Sequence, residues 1–395
     1  MGYLTSYFLV SWLMPWLIKK FQEKKLTSDL TPAKEGQQKE LVPIMGGILL
    51  IFVSLISTFL WVWAWQGPYI FALCATMVIF GGIGFFDDLA KIAHKQKIEK
   101  GLVKKKGFDY KGEGLSEKAR WFWEFGSTIL VLGLVFFVFS KIDTRLQVPF
   151  VPIKTFFPEL PVWMYYAFAT TFVVIGANSV NMTDGLDSMV TVPLLTCLFF
   201  VASIAYVSGD LELSTKLKIP YSSAEIKEIT VWASLVIGAL MAFLKFNCPP
   251  ASIYMGDVGS LALGASLCMS FLFVKAEIYL SIAGGIFFIT GLSSLIQRVY
   301  FKMMLKKKGR DYAEKNRFFY RAPYHHHKQA FYSEEKPAVF SFYQSFLNRF
   351  LWFSHDSSIN KPKTKEGINS KIVWHNLIKA VWLLVVALII FFKIR

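Results

Sequence analysis

Residues 68–91 read PYIFALCATMVIFGGIGFFDDLAK. From Pro68 to Phe86 the segment is continuously apolar, and Asp87 and Asp88 follow at once. Such a run approaches the ~20 residues with which a helix crosses a ~30 Å hydrocarbon core. It does not alternate polar with apolar residues, so it does not read as a barrel strand. The segment predicts a membrane-spanning helix that carries a pair of carboxylates to the membrane surface.

Nine comparable runs lie on either side, at 3–18, 44–66, 121–140, 161–177, 188–207, 230–246, 258–274, 277–297 and 376–392. The expected fold is an all-α integral membrane protein of about ten transmembrane helices, forming a single polytopic domain over residues 1–395. Composition agrees: 54% of the 395 residues are hydrophobic and 18% are charged, against ~25% charged in ordinary soluble domains. Charges follow the first run (Lys19, Lys20) rather than precede it. That order is the reverse of a signal peptide and predicts a first helix that starts outside. Cys74, Cys197, Cys248 and Cys268 form no close pair and sit in or beside apolar runs, as small hydrophobic residues do.

The net charge of +16 is distributed as topology requires, and no nucleic-acid partner is expected. Lys and Arg number six in residues 19–43, ten in 87–120 and sixteen in 298–375, but three each in 141–160 and 208–229. The basic loops follow the first, third and ninth runs, which end on one face. The positive-inside rule puts that face in the cytoplasm and both termini outside, in the periplasm.

Polar motifs gather on the same face. Adjacent Asp87 and Asp88 at the end of a helix would oppose its dipole, a cost that a cation or a metal-bound phosphate offsets. In NSVNMTDGLDSM (178–189), Asn178, Asn181, Asp184 and Asp187 recur every third residue, a spacing that groups them on one face of a helix or tight turn. Two amides and two carboxylates suit sugar hydroxyls, a nucleobase edge or a metal. In FNCPPASIYMGDVGSLALG (246–264), Asp257 stands between Gly256 and Gly259 at the start of an apolar run. A helix N-terminus attracts phosphate, and an Asp there can bring Mg²⁺ to it or simply cap the helix. In APYHHHKQ (322–329), His325, His326 and His327 are consecutive. Neighbouring histidines converge poorly on one metal, so phosphate contact or proton transfer is the expected role. VPIMGG (42–47) carries a Gly46–Gly47 pair that suits close helix packing.

These five segments, in this order, resemble the polyprenyl-phosphate N-acetylhexosamine-1-phosphate transferase superfamily. The histidine triplet and the Pro43–Gly47 segment are similar to its bacterial branch, the phospho-N-acetylmuramoyl-pentapeptide-transferases. The resemblance runs from about residue 39 to the last helix. It implies ten transmembrane helices, usually as a homodimer, in the bacterial inner membrane, with an active-site cleft open to the cytoplasm. The implied reaction joins UDP-N-acetylmuramoyl-pentapeptide and the membrane lipid undecaprenyl phosphate to give lipid I and UMP, with Mg²⁺, in peptidoglycan synthesis.

The resemblance also implies residue roles. The aspartate pair falls on Asp87 and Asp88, with a following lysine at Lys91. A lysine associated with diphosphate contact falls on Lys118 of GLSEK. The nucleoside side of the cleft falls on Asn178, Asn181, Asp184, Gly185, Leu186 and Asp187. The metal-binding aspartate falls on Asp257, and the aromatic residue that stacks on uracil falls on Tyr254, usually Phe in the family. The histidine triplet falls on His325, His326 and His327. The chain departs from the family's usual pattern at Lys39–Met45, where a threonine-containing segment after paired lysines is usual. It also departs at Ser188, usually Gly, and at Thr290, where an acidic residue is common. Two cytoplasmic insertions are expected, at 95–112 and 331–366. The second contains FSFYQSFLNRFLWF (340–353), a candidate helix lying on the inner membrane surface.

Two rival readings follow from the same residues. A sibling transferase would use UDP-N-acetylglucosamine. A transporter or flippase for an anionic substrate would carry its charges in mid-membrane, whereas here they stand at the interface. The topology is directly testable: Lys308→Cys should react with an impermeant thiol reagent only when the cytoplasmic face is opened, and labelling from outside intact cells would reverse the orientation.

Overall fold

The computed structural model describes residues 1–24, 26–28, 42–62, 67–102, 114–139, 143–147, 159–217, 219, 223–332 and 365–393. The Lys39 departure, most of the 95–112 insertion and nearly all of the 331–366 insertion lie outside these residues.

The described residues are almost entirely helical. In chain order come α1 (Gly2–Glu23), a short antiparallel ladder of β1 (Thr27–Ser28) with β2 (Val42–Pro43), α2 (Gly47–Trp61) and α3 (Pro68–Glu99). Next are α4 (Glu117–Gly133), prolonged by a π-helical turn at Leu134–Val138, then α5 (Val162–Thr183), α6 (Thr191–Ser208), α7 (Leu211–Lys216), α8 (Ala224–Asn247) and α9 (Gly256–Phe273). The chain continues through α10 (Tyr279–Ala283), α11 (Gly285–Lys308), α12 (Arg310–Lys315), α13 (Tyr324–Tyr332) and α14 (Lys365–Lys393).

Among the described residues, each of the ten apolar runs is mostly helical. Among the described residues, six helices are long and apolar enough to cross a membrane, over Pro68–Ile98, Glu117–Val138, Thr191–Ser208, Glu225–Asn247, Gly256–Phe273 and Asn369–Phe392. α2 is apolar but has 15 residues. α1 and α11 end in basic residues, and α5 ends in Asn178–Thr183.

α9 is the axis of the bundle. Every residue from Val258 to Phe273 is buried, as expected for a helix that is apolar on all sides. It packs chiefly against α3 and α5, and also against α2 and α6. The Gly47–Gly259 contact lets α2 approach α9 so closely that a Cβ on Gly47 would overlap the Gly259 backbone, which is the small-residue packing of membrane helices. The outer helices instead expose large apolar side chains, such as Trp12, Trp16, Phe122, Trp123, Trp374 and Trp382, where lipid would replace water.

One expectation fails. α3 does not end at Asp87 and Asp88. It runs on to Glu99, 32 residues in all, and the two carboxylates are 1% and 3% exposed. An opposing helix dipole is therefore not what they must overcome. The cost is desolvation and mutual repulsion, and it is met by a basic residue one turn further along the same helix.

Candidate active site

That residue is Lys91. Its Nζ lies 2.7 Å from Asp87 Oδ2, 3.9 Å from Asp88 Oδ1 and 2.7 Å from Asp257 Oδ2. The i, i+4 and i, i+3 spacings bring Asp87 and Asp88 to Lys91 on α3, and α9 supplies Asp257 from its first turn. Backbone donors complete the cluster. Leu115 N–H donates to Asp87 Oδ1 at 2.8 Å, and Val258 N–H donates to Asp88 Oδ2 at 3.3 Å. Leu115 is the second residue of the GLSEK segment (114–118), so residues 114–116, just before α4, lie against Asp87. Ser116 then caps α4 by accepting from Ala119 N–H.

Asp257 does not cap α9. The N-cap is Met255, and no side chain makes a capping hydrogen bond there. Gly256 enters the helix at φ +77°. The preceding loop is pinned by the Pro43–Gly47 segment: Tyr254 N–H donates to Pro43 O, Gly46 N–H to Tyr254 O and Gly47 N–H to Met255 O, each at 2.9 Å. The short segment that opens α2 thus fixes both Tyr254 and the entry of Asp257.

The Asn178–Asp187 array does not form a single helical stripe. α5 ends at Thr183, and the chain turns through 184–190. Asn178 Nδ2 donates to Glu124 Oε2 on α4 at 2.6 Å. Asn181 Oδ1 accepts from Ser260 Oγ on α9 at 2.9 Å. Asp187 Oδ2 accepts from Ala251 N–H at 3.0 Å, and its carboxylate also takes the Tyr254 hydroxyl. Asp184 faces the Gly256 N–H. Removal from water lifts the Asp184 carboxyl to about 7, and Asp257 adds to the rise. Tyr254 is raised too, first by desolvation and then by Asp187. Ser188 takes the family's glycine position with φ +58°. Asn247 supports it there, accepting from Ser188 N–H at 3.0 Å while its carbonyl accepts from Ser188 Oγ at 2.9 Å.

The histidines divide. His325 rests on Gly185, where a Cβ would overlap its ring, so the triplet joins the 178–187 segment at this point. His326 Nδ1 pairs with Gln329 Oε1 at 2.7 Å, and Gln329 donates to Asn369 on α14. His327 is buried, stacks on Tyr320 and accepts from its N–H at 3.1 Å. Burial holds the His327 imidazole down at about 4, with Lys328 adding to the effect, which suits a neutral acceptor.

Lys118 is exposed at the head of α4, beside a groove lined by Trp121, Phe122, Phe125 and Ile129. The basic residue of α4 that turns inward is Arg120, whose Nη2 donates to Asn178 Oδ1 at 3.3 Å. Sequence reasoning missed Arg120 and Glu124. The signal was present: a glutamate inside the aromatic run WFWEFGS (121–127) is expensive in a membrane helix and marks function by default. Thr290 is buried and donates to Ile286 O, a neutral helix-internal contact.

The chain matches the model of glycosyl transferase family 4 over residues 70–275. It is 33% identical over 339 residues to the phospho-N-acetylmuramoyl-pentapeptide-transferase of Desulfotalea psychrophila, covering 85% of this chain and 86% of the relative. It is 34% identical over 330 residues to the protein of that name from Desulforapulum autotrophicum, covering 82% and 83%. A third of the same name, from Syntrophus aciditrophicus, is 32% identical over 327 residues and 82% of each chain.

Proposed function

Because the chain belongs to glycosyl transferase family 4 and, within it, to the phospho-N-acetylmuramoyl-pentapeptide-transferases, we propose that it transfers phospho-N-acetylmuramoyl-pentapeptide from UDP-N-acetylmuramoyl-pentapeptide to undecaprenyl phosphate. The products are lipid I and UMP, and the step belongs to peptidoglycan synthesis. The observation that carries this reading is the joining of Asp87, Asp88, Lys91, Asp257 and the Asn178–Asp187 segment at one end of the apolar bundle. A transporter would be expected to line a path through the bundle with such groups. On this reading the protein lies in the bacterial inner membrane as a homodimer, with its cleft toward the cytoplasm, where the Lys and Arg excess is found.

The lipid phosphate attacks the β-phosphorus of the donor, and UMP leaves. Catalysis of this kind rests on positioning and electrostatics. A phosphate monoester has a second pKa near ~6, so the acceptor is mostly dianionic at neutral pH and needs little general-base help. Both oxygens of Asp87 are engaged, by Leu115 N–H and by Lys91. That supports an orienting role over a covalent aspartyl-phosphate route. Lys91, Lys118, His325 and His326 would supply positive potential, with His327 a neutral acceptor behind them, and Asn178, Asn181, Asp184, Gly185, Leu186, Asp187 and Tyr254 would hold the nucleoside side.

Mg²⁺ fits the donor set. Asp257 offers a carboxylate with no capping duty, beside Asp87 and Asp88. Among the described residues no three His, Cys, Asp or Glu side chains enclose a metal. Mg²⁺ tolerates this, since it commonly takes one or two carboxylates and completes its shell with water and substrate phosphate. Bound by Asp257, it would neutralise diphosphate charge.

Two measurements follow. Purified protein with radiolabelled UDP-N-acetylmuramoyl-pentapeptide and undecaprenyl phosphate should release UMP and form a labelled lipid. Preference for UDP-N-acetylglucosamine in competition would favour the sibling transferase, and absence of UMP with either donor would remove the enzyme reading. Asp257→Asn should fold normally and lose at least ~100-fold in turnover, with partial recovery at high Mg²⁺. Near-normal turnover at ordinary Mg²⁺ would leave Asp257 a structural residue only.

A further inference from the structure

Glu124 is completely buried in α4, and a carboxylate there is tolerated only with close partners. Its partners belong to the site. Oε2 accepts from Asn178 Nδ2 at 2.6 Å, and Oε1 lies 3.6 Å from Arg120 Nε one turn earlier. Arg120 Nη2 in turn donates to Asn178 Oδ1 at 3.3 Å. The three side chains close a ring, and the ring fixes the Asn178 amide, because its oxygen meets a donor and its nitrogen an acceptor. The ring also borders the acidic cluster: the Arg120 charge acts on Asp257, and Asp257 and Asp87 act on Glu124.

The charges explain why a buried glutamate serves here. Asp87, Asp88 and Asp257 share one Lys91, so an incoming diphosphate meets three carboxyl groups with a single cation among them. A guanidinium is well suited to phosphate oxygens. Without a tether, Arg120 would be drawn onto Asp257 and Asp87 and lost to the substrate. We propose that Glu124 is a positioning residue for the transfer: it locks Asn178 and holds the Arg120 guanidinium at the rim of the acidic cluster, ready for the donor's diphosphate. This inference rests on the transferase reading.

The test is a double-mutant cycle on full-length protein in detergent, with UMP release as the readout. Glu124→Ala and Asn178→Ala should each lower kcat/KM about 100-fold. The double variant should be no worse than Asn178→Ala, because residues acting as one unit do not lose activity independently. Losses that multiply, or near-wild-type kcat/KM in Glu124→Ala, would overturn the proposal. Glu124→Gln keeps volume and can still accept from Asn178, but frees Arg120. It should lose about tenfold at an unchanged melting midpoint, and full activity in it would overturn the proposal even if the alanine variant fails to fold. The wild-type control separates the two levels. No UMP from wild type removes the transferase reading, whereas an active wild type with multiplying losses removes only the role of Glu124.

Discussion

The Lys91 ammonium, held among three buried or half-buried carboxylates, is the interaction on which the rest of the site depends. Asp87 and Asp88 come from α3 and Asp257 from α9, the two helices with the most extensive contact in the bundle. Leaving a charge buried after removing its partner costs about 3–5 kcal/mol, so the cluster welds the helix pair as well as arranging the chemistry. It is also unbalanced. One lysine faces three carboxyl groups, and the cluster can therefore take further positive charge, whether from a divalent cation or from Arg120 nearby.

Around this cluster the chain uses backbone and amide contacts to set position. The Pro43–Gly47 segment exchanges hydrogen bonds with Tyr254 and Met255, so the start of α2 and the start of α9 are fixed together. Asn247 collects Ser188, Thr191 and the Ile253 carbonyl, tying the turn after α5 to the loop before α9. His325 reaches the same turn at Gly185. Segments far apart in sequence thus share a compact polar end on an otherwise apolar bundle.

Much of this was legible in the sequence. Continuous apolar runs announced the helices, and unusual Asp, Asn and Gly clusters without basic residues announced the site. What was not legible has physical reasons. α3 continues past Asp88 because Leu89–Glu99 keeps helix-forming residues, yet their polarity reads like a loop. The every-third-residue array looked like one face, but α5 stops at Thr183 and sends its last carboxylates to different partners. Arg120 and Glu124 belong to none of the polar motifs. Only the fold shows that they turn inward to Asn178. Lys275 and Glu277, just beyond the C-terminal end of α9, belong to no sequence motif, yet both are buried and share the Tyr165 hydroxyl.

The central claim is that Lys91 holds an acidic cluster which a cation can also satisfy. Its most direct test is the melting midpoint of Lys91→Met against wild type, in full-length protein, as Mg²⁺ is raised from zero. A ligand that binds only the folded state raises that midpoint by mass action. The account predicts a clearly destabilised variant without Mg²⁺ that recovers most of the loss at millimolar Mg²⁺, with a smaller rise in wild type. A variant as stable as wild type without Mg²⁺, or one that does not respond to the cation, would contradict it.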